Sequence, residues 1–553
     1  MTGELASGGR LLVDCLIALG ARQSFGVPGE SYLALLDALY DARDALRLVV
    51  CRQEGGAAMM AEAHGKMIGQ PGVCFVTRGP GATNASAGIH IARQDSTPMV
   101  MFVGQIARDH RDREAFQEID YRTMFGGLAK WVAEVDQTER LPEYIARAFS
   151  VAASGRPGPV VLALPEDMLS APVDPPAIRA RQSELAPSHS STAKDALDWL
   201  ARAERPLVVV GGPHWSQDAA RDLAAFAETQ GLPVALGFRR QDYLDNRHRC
   251  YAGDLNVGMN PALAERVKAA DAILVIGSRL GDIETRGYTL IDPADPHCQI
   301  CHVHADPGEP GRVYQPDLAV TADAASFISA LSQLPACGRD WADWTGSARA
   351  DYEAWVAPQE TPGAVKLEEV VLWLSKTLPE DAILTNGAGN YAAWLHRYFC
   401  YKRYGTQLAP TSGSMGYGFP AGVSASIEHP DRDVICFAGD GCFQMTLNEM
   451  STAVQHGATP IVIVANNGRY GTIRMHQEKT YPGRVSGTQL ANPDFAALAR
   501  AYGGHGEVVS ATADFPAAFD RARLAGTLAV IELQVDEDAL STTMRLSDLA
   551  TVV

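Results

Sequence analysis

The chain has 553 residues, enough for roughly three or four domains. Hydrophobic residues make up 46% and charged residues 20%, which excludes a disordered polymer. Lys and Arg number 47 against 65 Asp and Glu, giving 47 − 65 = −18. That charge argues against a grip on nucleic-acid phosphates and against a polybasic membrane-surface protein.

Met1 to Gly9 has no basic segment followed by an apolar stretch, so no signal peptide is visible. No run approaches the ~18 apolar residues that span a bilayer. The ten cysteines are scattered through apolar surroundings. The expectation is a cytoplasmic protein with free thiols and neither nucleic acid nor membrane as partner.

In chain order, short apolar runs recur at Val73–Thr77, Val160–Leu164, Leu207–Val210, Ile273–Ile276, Val434–Ala438 and Ile461–Ala465. Ala- and Leu-rich helical patterns separate them. Alternation of this kind predicts an α/β fold of doubly wound parallel sheets, with the runs as strands buried on both faces. Pro172–Ser191 and Gly338–Gly363 read as linkers, cutting the chain into three blocks at 1–170, 192–337 and 364–540. Between the Ile273–Ile276 run and the second linker lie His297, Cys298, Cys301, His302 and His304. Such a set can hold zinc, but side chains alternate along a strand and four ligands would not converge. A buried strand is the expectation.

In the third block, the Val434–Ala438 strand runs into Gly439-Asp440-Gly441, with a helical pattern from about Phe443 to Gln455. The next strand ends in Asn466-Asn467-Gly468. Asp and Asn at neighbouring strand tips lie where open α/β sheets bind ligands. Both are hard oxygen donors suited to Mg²⁺ or Ca²⁺, and the glycines let backbone N–H groups approach an anion. Two ordinary turns would carry the same residue types.

GDG, 24 intervening residues and NN resemble the motif of thiamine-diphosphate-dependent enzymes. Phe25-Gly26-Val27-Pro28-Gly29, Arg52-Gln53-Glu54, Thr77 to Asn84, Ala115-Phe116-Gln117-Glu118, Gly155 to Pro159 and Ser414 to Gly418 match in order and spacing. The likeness is to the acetolactate synthase group, over about residues 8–535. It implies a pyrimidine-binding first domain, a central domain and a diphosphate-binding third domain. It implies that Asp440, Asn467 and the carbonyl of Arg469 hold Mg²⁺. Gly387, Asn390, Gly441, Cys442, Tyr470 and Gly471 would line the diphosphate pocket. Met415 would be the wedge beneath a bent cofactor, and the backbone of Gly413 and Met415 would meet the aminopyrimidine edge. Glu54 would hydrogen-bond its ring nitrogen, and Gln117 would face the substrate.

The resemblance also implies that Glu54 and the metal motif of one site come from different subunits, hence a homodimer or homotetramer. The expected activity is decarboxylation, carboligation or both, on a 2-oxo acid such as pyruvate with a carbonyl acceptor. Several positions depart from the family pattern. Glu166 stands where a Lys is usual, Arg78 where a small residue is common, and His476 where a Trp shapes the acceptor pocket. His476 is therefore a candidate catalytic proton donor. Arg78 and Arg474 are weaker candidates for a substrate carboxylate. Gly258-Met259-Asn260-Pro261 replaces a segment common in flavin-binding members, so FAD is possible but not favoured. Two alternatives remain: a lyase or decarboxylase of 2-hydroxyacyl-CoA or oxalyl-CoA, with Arg239, Arg240, Arg247 and Arg249 as its basic patch, or a cofactor-binding protein without turnover.

Overall fold

The computed structural model describes residues 5–174 and 190–550. Three six-stranded sheets form, each parallel throughout. The first uses Gln23–Gly26, Arg47–Val50, Gly72–Val76, Met99–Gln105, Trp131–Glu134 and Pro159–Pro165. The second lies within 206–321 and the third within 383–534. With strands numbered in chain order inside each sheet, the first and third share the spatial order 2-1-3-4-6-5. The middle sheet has the order 3-2-1-4-5-6 of dinucleotide-binding folds.

The runs form these sheets because both faces are covered. In the middle sheet, Val208, Val210, Leu274, Ile276, Cys301 and Val303 enter one core, while Leu207, Val209, Ile273, Val275 and Ile300 enter another. The His297–His304 segment is the strand Gln299–His304, expected from its pattern. His302 Nε2 donates to the Ser278 carbonyl at 2.9 Å, and His304 Nδ1 accepts from the Asp306 amide at 2.9 Å.

The chain divides into two compact units. One comprises 1–184 with 419–430 and 446–459, and the other comprises the remainder, including the middle and third sheets. Among the described residues no helix is long and apolar enough to cross a membrane.

Two local expectations are corrected. Gly338–Gly363 is not simply a linker, because it carries the helix Ala342–Trp355. Its tryptophans anchor it: Trp341 is buried with Nε1 donating to Ala203 O, and Trp344 Nε1 donates to Pro206 O at 2.8 Å beneath the Arg266 guanidinium. The helix expected over Phe443–Gln455 is broken into Asp440–Gln444, a 3₁₀ turn at Leu447–Glu449 and Met450–His456. Thr446, at φ −140°, interrupts it. Of the linker read at Pro172–Ser191, residues 175–189 lie outside the described ones.

In the first unit, helices Glu54–Ile68 and Pro80–Asp95 cover one face of the sheet. They cross at Gly88, where a Cβ would stand 2.3 Å from that of Ala58. Gly88→Val should cost about 1–3 kcal/mol through overpacking. The reading is a lower denaturant midpoint; an unchanged midpoint refutes the close crossing. A second expectation concerns acid. Burial pushes the His304 imidazole down to about 4 from 6.5. Between those values the unfolded chain binds a proton that the folded chain refuses, so stability falls as pH falls through this window. From pH 7 to pH 5, His304→Leu should lose about 2 kcal/mol less than the parent protein. Equal losses in denaturant titrations at the two pH values refute it.

Candidate active site

A cavity of about 250 Å³ opens at the carboxyl ends of the third sheet. Its walls follow the tips of four strands: Ala388 to Tyr391 after Ile383–Asn386, Asp440 to Cys442 after Val434–Gly439, Asn467 to Tyr470 after Ile461–Asn466, and Ala539 with Leu540 after Ala529–Gln534. The first two strands are neighbours at the point where the strand order reverses. Of the residues assigned by resemblance, the cavity gathers Asn390, Gly413, Met415, Asp440, Gly441, Cys442, Asn467, Arg469, Tyr470 and Gly471. Gly387 stands just behind the wall, where a Cβ would meet Cys442 Sγ at 2.5 Å.

Asp440 is 3% exposed. Its Oδ1 accepts from Gly441 N at 2.8 Å, and its Oδ2 accepts from Gly468 N at 2.9 Å and Asn492 Nδ2 at 2.7 Å. Among the described residues no cationic side chain forms an ion pair with it. Burial holds its carboxyl above the usual carboxylate range, although the three donors oppose that shift. A buried carboxylate fixed by neutral donors, beside the Asn467 amide, fits a hard divalent cation better than a soft one.

The rest of the wall is locked by side-chain contacts. Cys442 Sγ accepts from Gly416 N at 3.1 Å and from the Tyr391 hydroxyl at 3.2 Å, and that hydroxyl accepts from Gly387 N at 3.1 Å. Asn390 is held by Thr472 and by the Leu540 carbonyl, each at 2.9 Å. Tyr391, Thr472 and Asn492 were not identified from the sequence. Only the short spacing of Tyr391 from Gly387 hinted at its place; nothing in the chain order points to Asn492.

Glu54 lies in the other unit, at the first turn of Glu54–Ile68 after the strand Arg47–Val50. Gln53 caps that helix through Gly55 N and Gly56 N. Glu54 is half-buried, and its Oε2 accepts from Asn84 Nδ2 at 2.9 Å. A Cβ on Gly81 would stand 3.4 Å from Oε1. The preceding loop is clamped by Glu449, fully buried, which accepts from Arg52 N at 3.2 Å and Gln53 N at 3.0 Å.

Two of the departures from the family pattern, Arg78 and Glu166, stand at tips of the first sheet and form one interaction. Arg78, 7% exposed, donates to Glu30 at 2.8 Å, to Glu166 at 3.4 Å and to the Phe116 carbonyl at 3.3 Å. Gln117 follows with φ +66°, its Cβ against Gly79. Arg474 is likewise engaged, by Glu478 one turn along its helix. His476, on the helix Gly471–Thr480, is exposed and does not line the cavity. In the middle domain Arg239 bonds the Pro410 carbonyl, Arg240 the Arg239 carbonyl, Arg247 pairs with Asp245 and Glu380, and Arg249 with Glu228.

Comparison with known proteins agrees with this layout. Three models of the thiamine pyrophosphate enzyme match: the N-terminal TPP binding domain over residues 6–124, the central domain over 193–331 and the C-terminal TPP binding domain over 387–533. The chain is 31% identical to the acetolactate synthase large subunit of Corynebacterium glutamicum, covering 97% of this chain and 88% of that one. It is 30% identical to the large subunit of acetolactate synthase isozyme 2 of Escherichia coli, covering 96% of each. It is also 30% identical to the acetolactate synthase large subunit of Lactococcus lactis, covering 90% and 87%. Fold, strand-tip cavity and full-length similarity together mean that the chain belongs to the thiamine pyrophosphate enzyme family, in the group of the acetolactate synthase large subunits.

Proposed function

We propose that this enzyme uses thiamine diphosphate and Mg²⁺ to join two 2-oxo acids with loss of CO₂, pyruvate being the donor. The observation that carries the reading is the Asp440 carboxylate, buried at a strand tip without a cationic partner among the described residues. In this reading Asp440, Asn467 and the Arg469 carbonyl hold Mg²⁺, and Gly387, Asn390, Gly441, Cys442, Tyr470 and Gly471 surround the diphosphate. Met415 supports the cofactor between its rings, with Gly413 beside it. When bound, thiamine diphosphate supplies a thiazolium carbon that accepts the electron pair left as the 2-oxo acid loses CO₂.

The remaining work belongs to side chains of this protein. Glu54 shares a proton with the aminopyrimidine ring nitrogen. Asn84 holds one of its carboxylate oxygens, and Gly81 keeps the space beside the other clear of a side chain. Gln117 faces the reacting carbonyl compounds from a loop tied down by Arg78 through the Phe116 carbonyl. Because Arg78 and Arg474 are already engaged by carboxylates, neither is assigned to the substrate. His476, exposed and outside the cavity wall, is not assigned to the chemistry. Glu54 of one subunit and the Asp440 cavity of another complete each site, which requires a homodimer or a dimer of dimers. The enzyme is placed in the cytoplasm and is assigned no flavin.

The coenzyme-A alternative is disfavoured, since its four arginines are already engaged within their own unit. The non-catalytic alternative is disfavoured by Glu54 and its Asn84 support.

Pyruvate given to the loaded enzyme should yield CO₂ and acetolactate; neither product across a panel of 2-oxo acids overturns the reading. Glu54→Gln should bind the cofactor normally yet slow deuterium exchange at its reactive carbon by about 10²–10⁴-fold. Exchange at the parent rate would remove Glu54 from the mechanism. Asp440→Ala should abolish Mg²⁺-dependent cofactor binding in calorimetry, and an unaltered isotherm would displace the metal site.

A further inference from the structure

The first unit holds a second, larger cavity, about 470 Å³, that takes no part in the chemistry above. It lies along Trp131–Glu134, the outermost strand of the first sheet, and against the helix Leu141–Ala153. Its charge is opposite to that of the whole molecule. The chain carries −18, yet Arg122, Lys130, Arg140 and Arg147 line this cavity against the single carboxylate of Glu143.

The cations are not all engaged. Arg140 pairs with Glu143 at 2.7 Å, and Lys130 Nζ donates to the Ser154 carbonyl at 2.6 Å. Arg147 lies 4.2 Å from the ring centre of Trp131, and Trp131 stacks on Tyr144 at 5.8 Å. Among the described residues, neither Arg122 nor Arg147 has a carboxylate within ion-pair distance. Arg147 is thus oriented by an aromatic face while its N–H edge keeps its donors. Among the described residues the outer edge of Trp131–Glu134 pairs with no further strand. An open cavity of small-ligand size, with surplus guanidinium donors, matches an acceptor-only ligand bearing several negative charges.

We propose that this cavity binds a small multiply charged phosphate anion, at a site distinct from the diphosphate pocket at Asp440. Guanidinium forks recognise phosphate oxygens bidentately, and the aromatic pair fixes one fork in place. A free inorganic diphosphate and a nucleoside diphosphate share this chemistry.

The test is calorimetry on the full-length enzyme, loaded with thiamine diphosphate and held at a fixed excess of Mg²⁺. Inorganic pyrophosphate and ADP should each bind once per chain beyond the cofactor, more weakly as salt is raised, whereas adenosine should not bind. ADP binding more tightly than pyrophosphate supports a nucleotide as the occupant, and equal affinities support the inorganic anion. The double variant Arg122→Gln, Arg147→Gln should lose about tenfold or more in affinity. Arg147→Lys, which keeps the charge and changes packing least, should retain part of it. Binding should persist in Asp440→Ala, whose cofactor pocket is disabled. Absence of binding by both anions, equal binding of adenosine, loss of the site in Asp440→Ala, or unchanged affinity in a folded double variant would each overturn the proposal.

Discussion

A carboxylate buried with no ion-pair partner among the described residues is the constraint from which the third domain is organised. Desolvation of Asp440 has to be offset by something fixed in place, and the chain supplies amide donors from three directions. Those donors come from the next residue, from the turn after the adjacent strand, and from Asn492. The second of these requires the parallel pairing that sets Val434–Gly439 beside Ile461–Asn466 in register. The carboxylate therefore ties the two strand tips into one geometry, and the proposed divalent cation would supply the charge that amides cannot.

The recurrence of one strand order in the first and third sheets gives that geometry a counterpart. In both, the ends of strands one and three are neighbours, and in both they carry the polar residues of interest. The third sheet shows Asp440 there; the first shows Glu30 and Arg78. Connection rules alone favour binding at such reversals. What distinguishes the two sheets is charge management. Asp440 receives neutral donors, whereas Arg78 is neutralised by Glu30 and Glu166. The first sheet thus ends in a compensated cluster that braces the Phe116–Gln117 loop.

Much of this could be read from residue order. All-apolar runs bounded by Gly, Asn or Pro became the buried strands, because a run without alternation suits only a sheet covered on both faces. The pairing of Asp440 with Asn467 followed from two strand ends and one intervening helix-length segment. Less legible were contacts that join distant stretches. Asn492 reaches Asp440 from a loop whose composition carries no periodicity. The helix Ala342–Trp355 looked like a linker because its surface is polar, while Trp341, Trp344, Thr345, Ala348 and Asp351 hold it in place through contacts with distant stretches. The repeated strand order was also invisible in the sequence, since topology constrains the spacing of runs and leaves residue identity free.

Arg78 and Glu166 show how a departure from a family pattern should be weighed. Taken singly, a buried arginine near a substrate loop invites assignment to a substrate carboxylate, and an acid in place of a lysine suggests a lost contact. Together they form one ion pair, with Glu30 as a second acceptor. A guanidinium taken out of water needs such partners whatever the enzyme binds. Its Nε–H goes to the Phe116 carbonyl, so the substitution acts on loop position. Gln117 sits in the left-handed region at φ +66°, a conformation that a non-glycine residue keeps only when its surroundings hold it. Arg78 on one side and the absent side chain of Gly79 on the other are those surroundings. The first sheet thereby fixes, through a charge pair, the orientation of the residue placed nearest the reacting carbonyl in the proposed mechanism.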